Sequence, residues 1–147
     1  MSYDPYALYQ SDEDLETRGI LLEEPNLRIR IARAGGANTK FQQTFERVMR
    51  PLRRSIQLGT ISEDVARRAT AEILAESIVL NWETREAPKS DVWVNKVMDP
   101  KTREFVDPTP EAIARALDAA PALCNYVFEQ AKDETIFRKE IEEDVGN

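Results

Sequence analysis

The segment from Gly19 to Gly36 reads GILLEEPNLRIRIARAGG and predicts a β-hairpin near the start of the chain. In Leu27–Ile31 an apolar residue stands at every second position, which is the period of a strand with one buried face. Ile20–Leu22 supply the partner strand, and Pro25-Asn26 is a turn sequence between them. We therefore expect a hairpin over residues 17–34 that is ended by two glycines.

Beyond the hairpin the dominant pattern is helical, with apolar residues recurring every three or four positions. Pro51 lies inside the first helical stretch, so we expect a kink or break near Met49. The apolar face predicted for that stretch consists of Phe41, Phe45, Val48, Met49, Leu52 and Ile56. Short β-branched runs around a proline turn predict a second hairpin over residues 90–107. The predicted helices are residues about 38–58, 62–82, 110–118, 121–131 and 134–145.

These elements predict an α+β fold that is mainly helical: an N-terminal β-hairpin followed by a helical domain with a second short hairpin inserted. A chain of 147 residues is long enough for one domain with its own core. We divide it into an extended or flexible N-terminal arm, residues 1–16, and a single mainly helical domain, residues 17–147. The arm carries three tyrosines, which are expected to dock on the domain itself or on a partner.

The residue types that common catalytic and metal sites need are scarce. The chain has no histidine, which is the commonest general base and metal ligand. Its one cysteine, Cys124, lies at helical spacing with apolar neighbours and is predicted to be a buried thiol. Gly35-Gly36 matches no nucleotide-binding fingerprint and is predicted to be a turn, while Trp82 and Trp93 are expected to pack in the core. We therefore predict no enzymatic activity, no metal and no cofactor.

No apolar run approaches the ~20 residues of a membrane span, and no secretion signal opens the sequence. A single cysteine rules out an internal disulfide and suits a reducing compartment. Because no apolar run is long enough to span a bilayer, we expect no membrane partner.

Positive charge is concentrated in one part of an otherwise acidic chain. The formal net charge is −7, yet residues 28–68 hold ten basic and three acidic residues, a net charge of +7. The segments 1–27 and 107–147 each have a net charge of −6. We expect the arginines to meet acidic helices, either in the chain's own C-terminal element or in a neighbouring copy. The candidate protein-binding residues are Arg47, Arg50, Arg53 and Arg54, with Phe137 and Ile141 on the predicted last helix.

The same basic segment could instead bind nucleic acid. The acidic flanks would repel phosphates, and no aromatic residues alternate with these arginines to stack on bases. Contact with protein is therefore the favoured interpretation, and a nucleic-acid-binding regulator remains the alternative.

Four features, in order along the chain, resemble one protein family. They are the acidic lead-in and first hairpin strand at Glu16–Leu22, RIRIARAGGAN at Arg28–Asn38, RPLRR at Arg50–Arg54, and the ending TPEAIARALDAAPALCNYVFEQAKDETIFRKEIEEDVGN from Thr109. Together they resemble the tail assembly chaperone family of long-tailed, siphovirus-type bacteriophages. The connection Thr84–Asp107 departs from the family pattern, in which it is shorter.

The resemblance implies a non-enzymatic protein that works in the host cytoplasm and is absent from the mature virion. It implies binding to the tape measure protein, which such chaperones keep from aggregating, and help in recruiting the tail tube (major tail) protein. Self-association and a frameshift-extended longer form are also features of the family. A structural neck or tail protein of the virion is the main alternative to this function.

Overall fold

The computed structural model describes residues 3–138 of the chain. Its helices are α1 (Glu13–Arg18), α2 (Thr39–Met49), α3 (Arg53–Gln57), α4 (Glu63–Ser77), α5 (Pro110–Ala119) and α6 (Pro121–Lys132). Its strands are β1 (Ile20–Glu23), β2 (Leu27–Ile31), β3 (Val79–Arg85), β4 (Trp93–Val94), β5 (Val97–Met98) and β6 (Phe105–Val106). Single 3-10 turns lie at Ala7–Tyr9, Arg50–Leu52 and Glu134–Phe137.

The first four strands form one antiparallel sheet in the order β1-β2-β3-β4. Ile29 and Ile31 of β2 and Trp82 of β3 are buried on its core side. The opposite face is polar, and there Arg28 is paired across the strands with Glu83. The alternation in the sequence therefore predicted the buried face correctly, and both the N-terminal hairpin and the α+β, mainly helical fold class are confirmed.

Helix α4 joins the sheet to the rest of the helices, because it packs against both α2 and α5. Leu74 of α4 belongs to one large core that also includes buried residues of the sheet, α5 and α6. A smaller cluster of Val48, Ala69 and Ile73 fastens α2 to α4. The long second helix is thus the element on which the others are assembled.

The prediction of a helix over residues 62–82 is wrong at its C-terminal end. Helix α4 stops at Ser77, and Val79 begins a seven-residue strand. Ile78 marks the change: its N–H still donates to Leu74 O, whereas its carbonyl accepts from Ala32 N, just after β2. This segment becomes a strand although its sequence has a helical period, because it pairs with β2 on the side away from β1. Without that pairing, β2 would leave a buried row of backbone polar groups without hydrogen bonds.

The single hairpin predicted over residues 90–107 is two separate pairings. β4 adds to the edge of β3, with Arg85 opposite Trp93, and β5 pairs with β6. The turn of the β5–β6 hairpin is held by Asp99, whose carboxylate accepts from Lys101 N (2.9 Å) and Thr102 N (3.0 Å). The strands are only two residues long, so the sequence period is too short to separate one hairpin from two.

Part of the predicted arm, residues 1–16, is folded onto the domain. Asp12 caps α1, and its N–H donates to Phe137 O at 2.7 Å. Glu16 is buried and forms an ion pair with Arg33 from the end of the hairpin. Residues from Asp12 onward are therefore not extended, because a carboxylate in α1 finds its counter-ion in the domain.

The C-terminal helices begin where the sequence indicates. Helix α5 is capped by Thr109, whose Oγ1 accepts from Ala112 N at 3.2 Å, and α6 begins at Pro121. Both end within two residues of the predicted limits. The helix predicted over 134–145 is a 3-10 turn through Phe137, and its remainder from residue 139 lies outside the described residues.

Candidate functional site

The segment from α2 to the loop after α3 combines exposed apolar side chains with arginines. It is formed by α2, the 3-10 turn after it, α3 and the loop that follows. We call it the α2–α3 surface and define it by Phe45, Arg50, Arg53, Arg54, Ile56 and Leu58.

The start of this helical path is fixed by a buried amide. Asn38 Nδ2 donates to Arg33 O at 2.8 Å and to Ser77 O at 2.9 Å, which ties the first residue before α2 to the hairpin and to the end of α4. Helix α2 ends at Met49, and Pro51 lies in the 3-10 turn that leads into α3. The break expected near Met49 is confirmed, since proline has no N–H for an α-helical bond at this point.

The apolar face of α2 and α3 is only partly covered. Val48 is buried against α4. Phe45 is 40% exposed, Ile56 43% and Leu58 64%. Phe45 and Ile56, predicted to share one apolar helical face with Val48, are therefore only partly covered by the described residues. A contiguous exposed apolar patch is a usual mark of a binding surface, and Phe45, Ile56 and Leu58, on consecutive elements, are the candidates for one.

The arginines of α2 and α3 differ in how many carboxylates they contact. Arg47 forms ion pairs with Glu76 and, at 3.8 Å, Glu72 of α4. Arg53 pairs with Glu46, which also lies 3.7 Å from Arg50.

Arg54 forms no ion pair with any residue in the range 3–138. Arg47 thus meets carboxylates of α4, which is neither of the two expected partners, the C-terminal element and a neighbouring copy. Glu140–Asp144 of the C-terminal element lie outside the described residues. Arg50 and Arg53 share the single carboxylate of Glu46, and Arg54 has no carboxylate partner in the described range, so this end of the surface stays positive.

The strand arginines, by contrast, are used inside the fold. Arg28 lies over the ring of Trp93 at 4.0 Å, with Arg85 at 4.8 Å from the same ring. Arg30 Nη1 donates to Gly19 O at 3.2 Å. Trp93 is half-buried on the polar side of the sheet, so its predicted place in the core is wrong, whereas Trp82 is buried as expected.

The two apolar candidates near the C-terminus have different outcomes. Phe137 is 0% exposed and belongs to the large core. It therefore presents no surface to a partner, because it is enclosed in the large core. Ile141 lies outside the described residues.

Other features of residues 3–138 that could serve as a site include a groove and one cysteine. A groove of about 450 Å³ between α4 and α5 has charges of both signs, with Arg68 and Arg115 facing four carboxylates. Cys124 is buried as predicted, and burial raises the pKa of its thiol. Between residues 3 and 138, no group of three or more acidic or cysteine side chains is arranged to hold a metal ion. Within the same range, the helices are too short or too polar to cross a bilayer.

The comparison with protein families identifies a phage-derived protein. A family model described as YdaY prophage protein matches residues 36–147, which is most of the chain. The chain belongs to the YdaY prophage protein family. No curated protein and no solved structure matches it.

The bacteriophage origin implied by the sequence resemblance is therefore confirmed, while the family description names no activity and no partner. The matched segment includes the whole α2–α3 surface and begins after β2, so the N-terminal hairpin precedes it.

Proposed function

We propose that this prophage protein is a tail assembly chaperone that binds the tape measure protein, keeps it in solution and helps to recruit tail tube subunits. The resemblance at four places along the chain supports this function, and the membership in a prophage family agrees with it. The proposal involves no chemical step and places the protein in the host cytoplasm, outside the finished virion.

The observation that carries the proposal is the α2–α3 surface. A client helix with one apolar face could pack that face against the exposed side chains of Phe45, Ile56 and Leu58. Arg50, Arg53 and Arg54 stand beside these residues with one carboxylate among them, so acidic side chains on the client would add favourable contacts. The surface thus fits an amphipathic helix with acidic flanks.

Co-expression with the tape measure protein of the same prophage tests the proposal. We expect the wild-type chain to hold that protein in the soluble fraction and to copurify with it. The double variant Ile56→Ser/Leu58→Ser should lose most of this effect, because it removes apolar contact from side chains that add little to the core. Val92→Ser is the matched control, since Val92 is also exposed but lies next to β4.

The basic part of the surface is tested by reversing two charges. Arg50→Glu/Arg54→Glu should weaken copurification severalfold, and more so at low salt, because screening already weakens such contacts at high salt. Lys89→Glu/Lys101→Glu makes the same change in net charge at exposed positions outside the surface and should leave copurification intact. Equal loss in both double variants would mean that overall charge, and not this surface, matters.

Two results would overturn the function itself. One is a tape measure protein that precipitates to the same extent with and without this chain. The other is a purified virion in which mass spectrometry finds the chain in stoichiometric amounts, as expected of a structural neck or tail protein.

A further inference from the structure

The N-terminal arm exposes a run of large apolar side chains. Four of them, each at least 60% exposed, lie close together in the sequence: Tyr3, Tyr6, Leu8 and Tyr9. Single exposed apolar residues are ordinary on a protein surface, whereas several in one short segment form a patch of the kind that contacts other proteins. The arm is therefore a second candidate for a binding element, besides the α2–α3 surface.

This part of the arm is folded into a compact turn. The Asp4 carboxylate accepts from Tyr6 N at 2.9 Å and from Gln10 Nε2 at 3.3 Å, so it joins the two ends of the turn. A backbone bond from Tyr9 N to Tyr6 O, 2.9 Å long, lies inside it. We call residues 4–10 the arm turn. Because its backbone is already ordered, less conformational entropy is lost when it docks on a partner.

The arm is also acidic. Positions 3–17 hold five carboxylates and no lysine or arginine. Two of these carboxylates pair with arginines of the fold, and three have no cationic partner among residues 3–138: Asp4, Asp12 and Glu13. A surface with apolar side chains and excess positive charge is therefore the complementary partner.

The α2–α3 surface has these complementary properties. Ile56 and Leu58 are exposed there, and Arg54 has no carboxylate partner in the described part of the chain. The groove between α4 and α5 is a poorer match for an acidic segment, because four carboxylates line it.

The arm turn does not reach the α2–α3 surface of its own chain. The arm is anchored at Ser11, whose Oγ accepts from Arg33 Nη1 at 3.2 Å, and α2 begins beside this anchor, since Asn38 Nδ2 donates to Arg33 O. The 11 residues of α2 then carry the chain about 16 Å away before α3 starts. Tyr6 and Leu8 accordingly remain exposed.

We propose that the arm turn of one copy docks on the α2–α3 surface of a second copy, with Tyr6 and Leu8 against Ile56 and Leu58. Because the arm and the surface are different patches, the contact is head-to-tail, and it leaves a free surface on one copy and a free arm on the other. The docking itself stands apart from client binding. Displacement of the arm by the tape measure protein is a further consequence, and it rests on the proposed function.

Two double variants separate the two halves of this contact. Tyr6→Ser/Leu8→Ser removes the apolar side chains of the arm turn, and Ile56→Ser/Leu58→Ser removes those of the surface. Sedimentation of the wild-type chain should show a mass that rises with concentration above the 16.8 kDa of one chain. Each variant alone should need at least a tenfold higher concentration to associate. Circular dichroism verifies that both variants fold, and Val92→Ser is the control that should associate like the wild type.

A mixture of the two variants gives the sharpest result. The arm variant still has an intact surface, and the surface variant still has an intact arm. Mixed in equal amounts, they should form a dimer with one copy of each, and that dimer should not grow further because its remaining arm and surface are both inactive.

The charged part of the contact is tested by salt and by charge reversal. Association of the wild-type chain should weaken at high salt, because screening reduces the attraction between the acidic arm and the arginines. Arg50→Glu/Arg54→Glu should weaken it severalfold at low salt. Lys89→Glu/Lys101→Glu makes the same change in net charge outside the surface and should leave it unchanged.

A wild-type chain that stays monomeric at all concentrations would overturn the proposal, as would a variant mixture that stays monomeric. Association of either variant alone at wild-type concentrations would also overturn it, because a different interface would then hold the copies together. The arm variant keeps the whole α2–α3 surface, so its copurification with the tape measure protein tests the proposed function separately.

Discussion

Replacement of Phe137 by alanine tests whether the C-terminal turn is part of the core. The ring is 0% exposed and contacts the large core shared by the sheet and the helices. A buried aromatic side chain removes about 150–250 Å² from water, which at ~25 cal/mol per Å² corresponds to about 4–6 kcal/mol. Measured Phe→Ala changes in cores are about 3–5 kcal/mol. We therefore expect Phe137→Ala to lower the free energy of unfolding by about 4 kcal/mol.

Urea unfolding followed by the fluorescence of the buried Trp82 is a suitable assay. With a typical slope of about 2 kcal/mol per M, the midpoint should fall by about 2 M. Phe45→Ala is the matched control: its ring is 40% exposed, so a shift of less than half this size is expected. If the two variants unfolded at the same urea concentration, Phe137 would not be a core residue. The prediction that it is a protein-binding residue would then hold.

Three further predictions concern titration, backbone strain and thiol reactivity. Hydrogen bonds to the Asp99 carboxylate, led by that from Thr102 N, hold its pKa below the usual value; its contribution to stability is therefore present above about pH 4 and lost as the pH falls further. Asp99→Asn should accordingly lower the Tm at pH 7 and have a smaller effect at pH 3. Gly19 has a φ of +87°, and a Cβ there would lie 2.7 Å from a backbone oxygen, so Gly19→Ala should lower the Tm by several degrees more than Gly35→Ala, where nothing lies within 4 Å. Cys124 should react with a disulfide reagent at least a hundredfold more slowly in the native protein than in urea, because burial raises its pKa and blocks access.

The parts of the fold that the sequence predicts are those with strong local signals. Leu27–Ile31 alternates over a full strand beside a turn sequence, so the hairpin can be inferred from neighbouring residues alone. Thr109-Pro110 combines a cap with a proline in the first turn, and α5 begins there as expected. Pro51 likewise breaks the helical path because of its own chemistry and needs no distant partner.

The parts that sequence patterns miss depend on contacts between distant segments. Val79–Arg85 follows a helix without a glycine or proline to end it, and only the need of β2 for a partner makes it a strand. Glu16 is a carboxylate in an acidic segment, which favours solvent exposure, and only its contacts with the distant Arg33 and Ala37 N explain its burial.

The same limit applies to the candidate site. Periodicity places Phe45 on the apolar face of its helix, but how far α4 covers that face depends on how the two helices pack.

The antiparallel bridge between Ser11 and Arg138 brings the beginning and the end of the described chain together. Ser11 and Arg138 therefore lie at the same corner of the domain. Linking the two termini and opening the chain in the exposed turn at 86–89 would preserve the contacts that build the core. In such a circular permutant α5 and α6 would be synthesised before the hairpin, and α2 to α4 after it. Its successful folding would mean that the architecture does not depend on the order in which the ribosome delivers these segments.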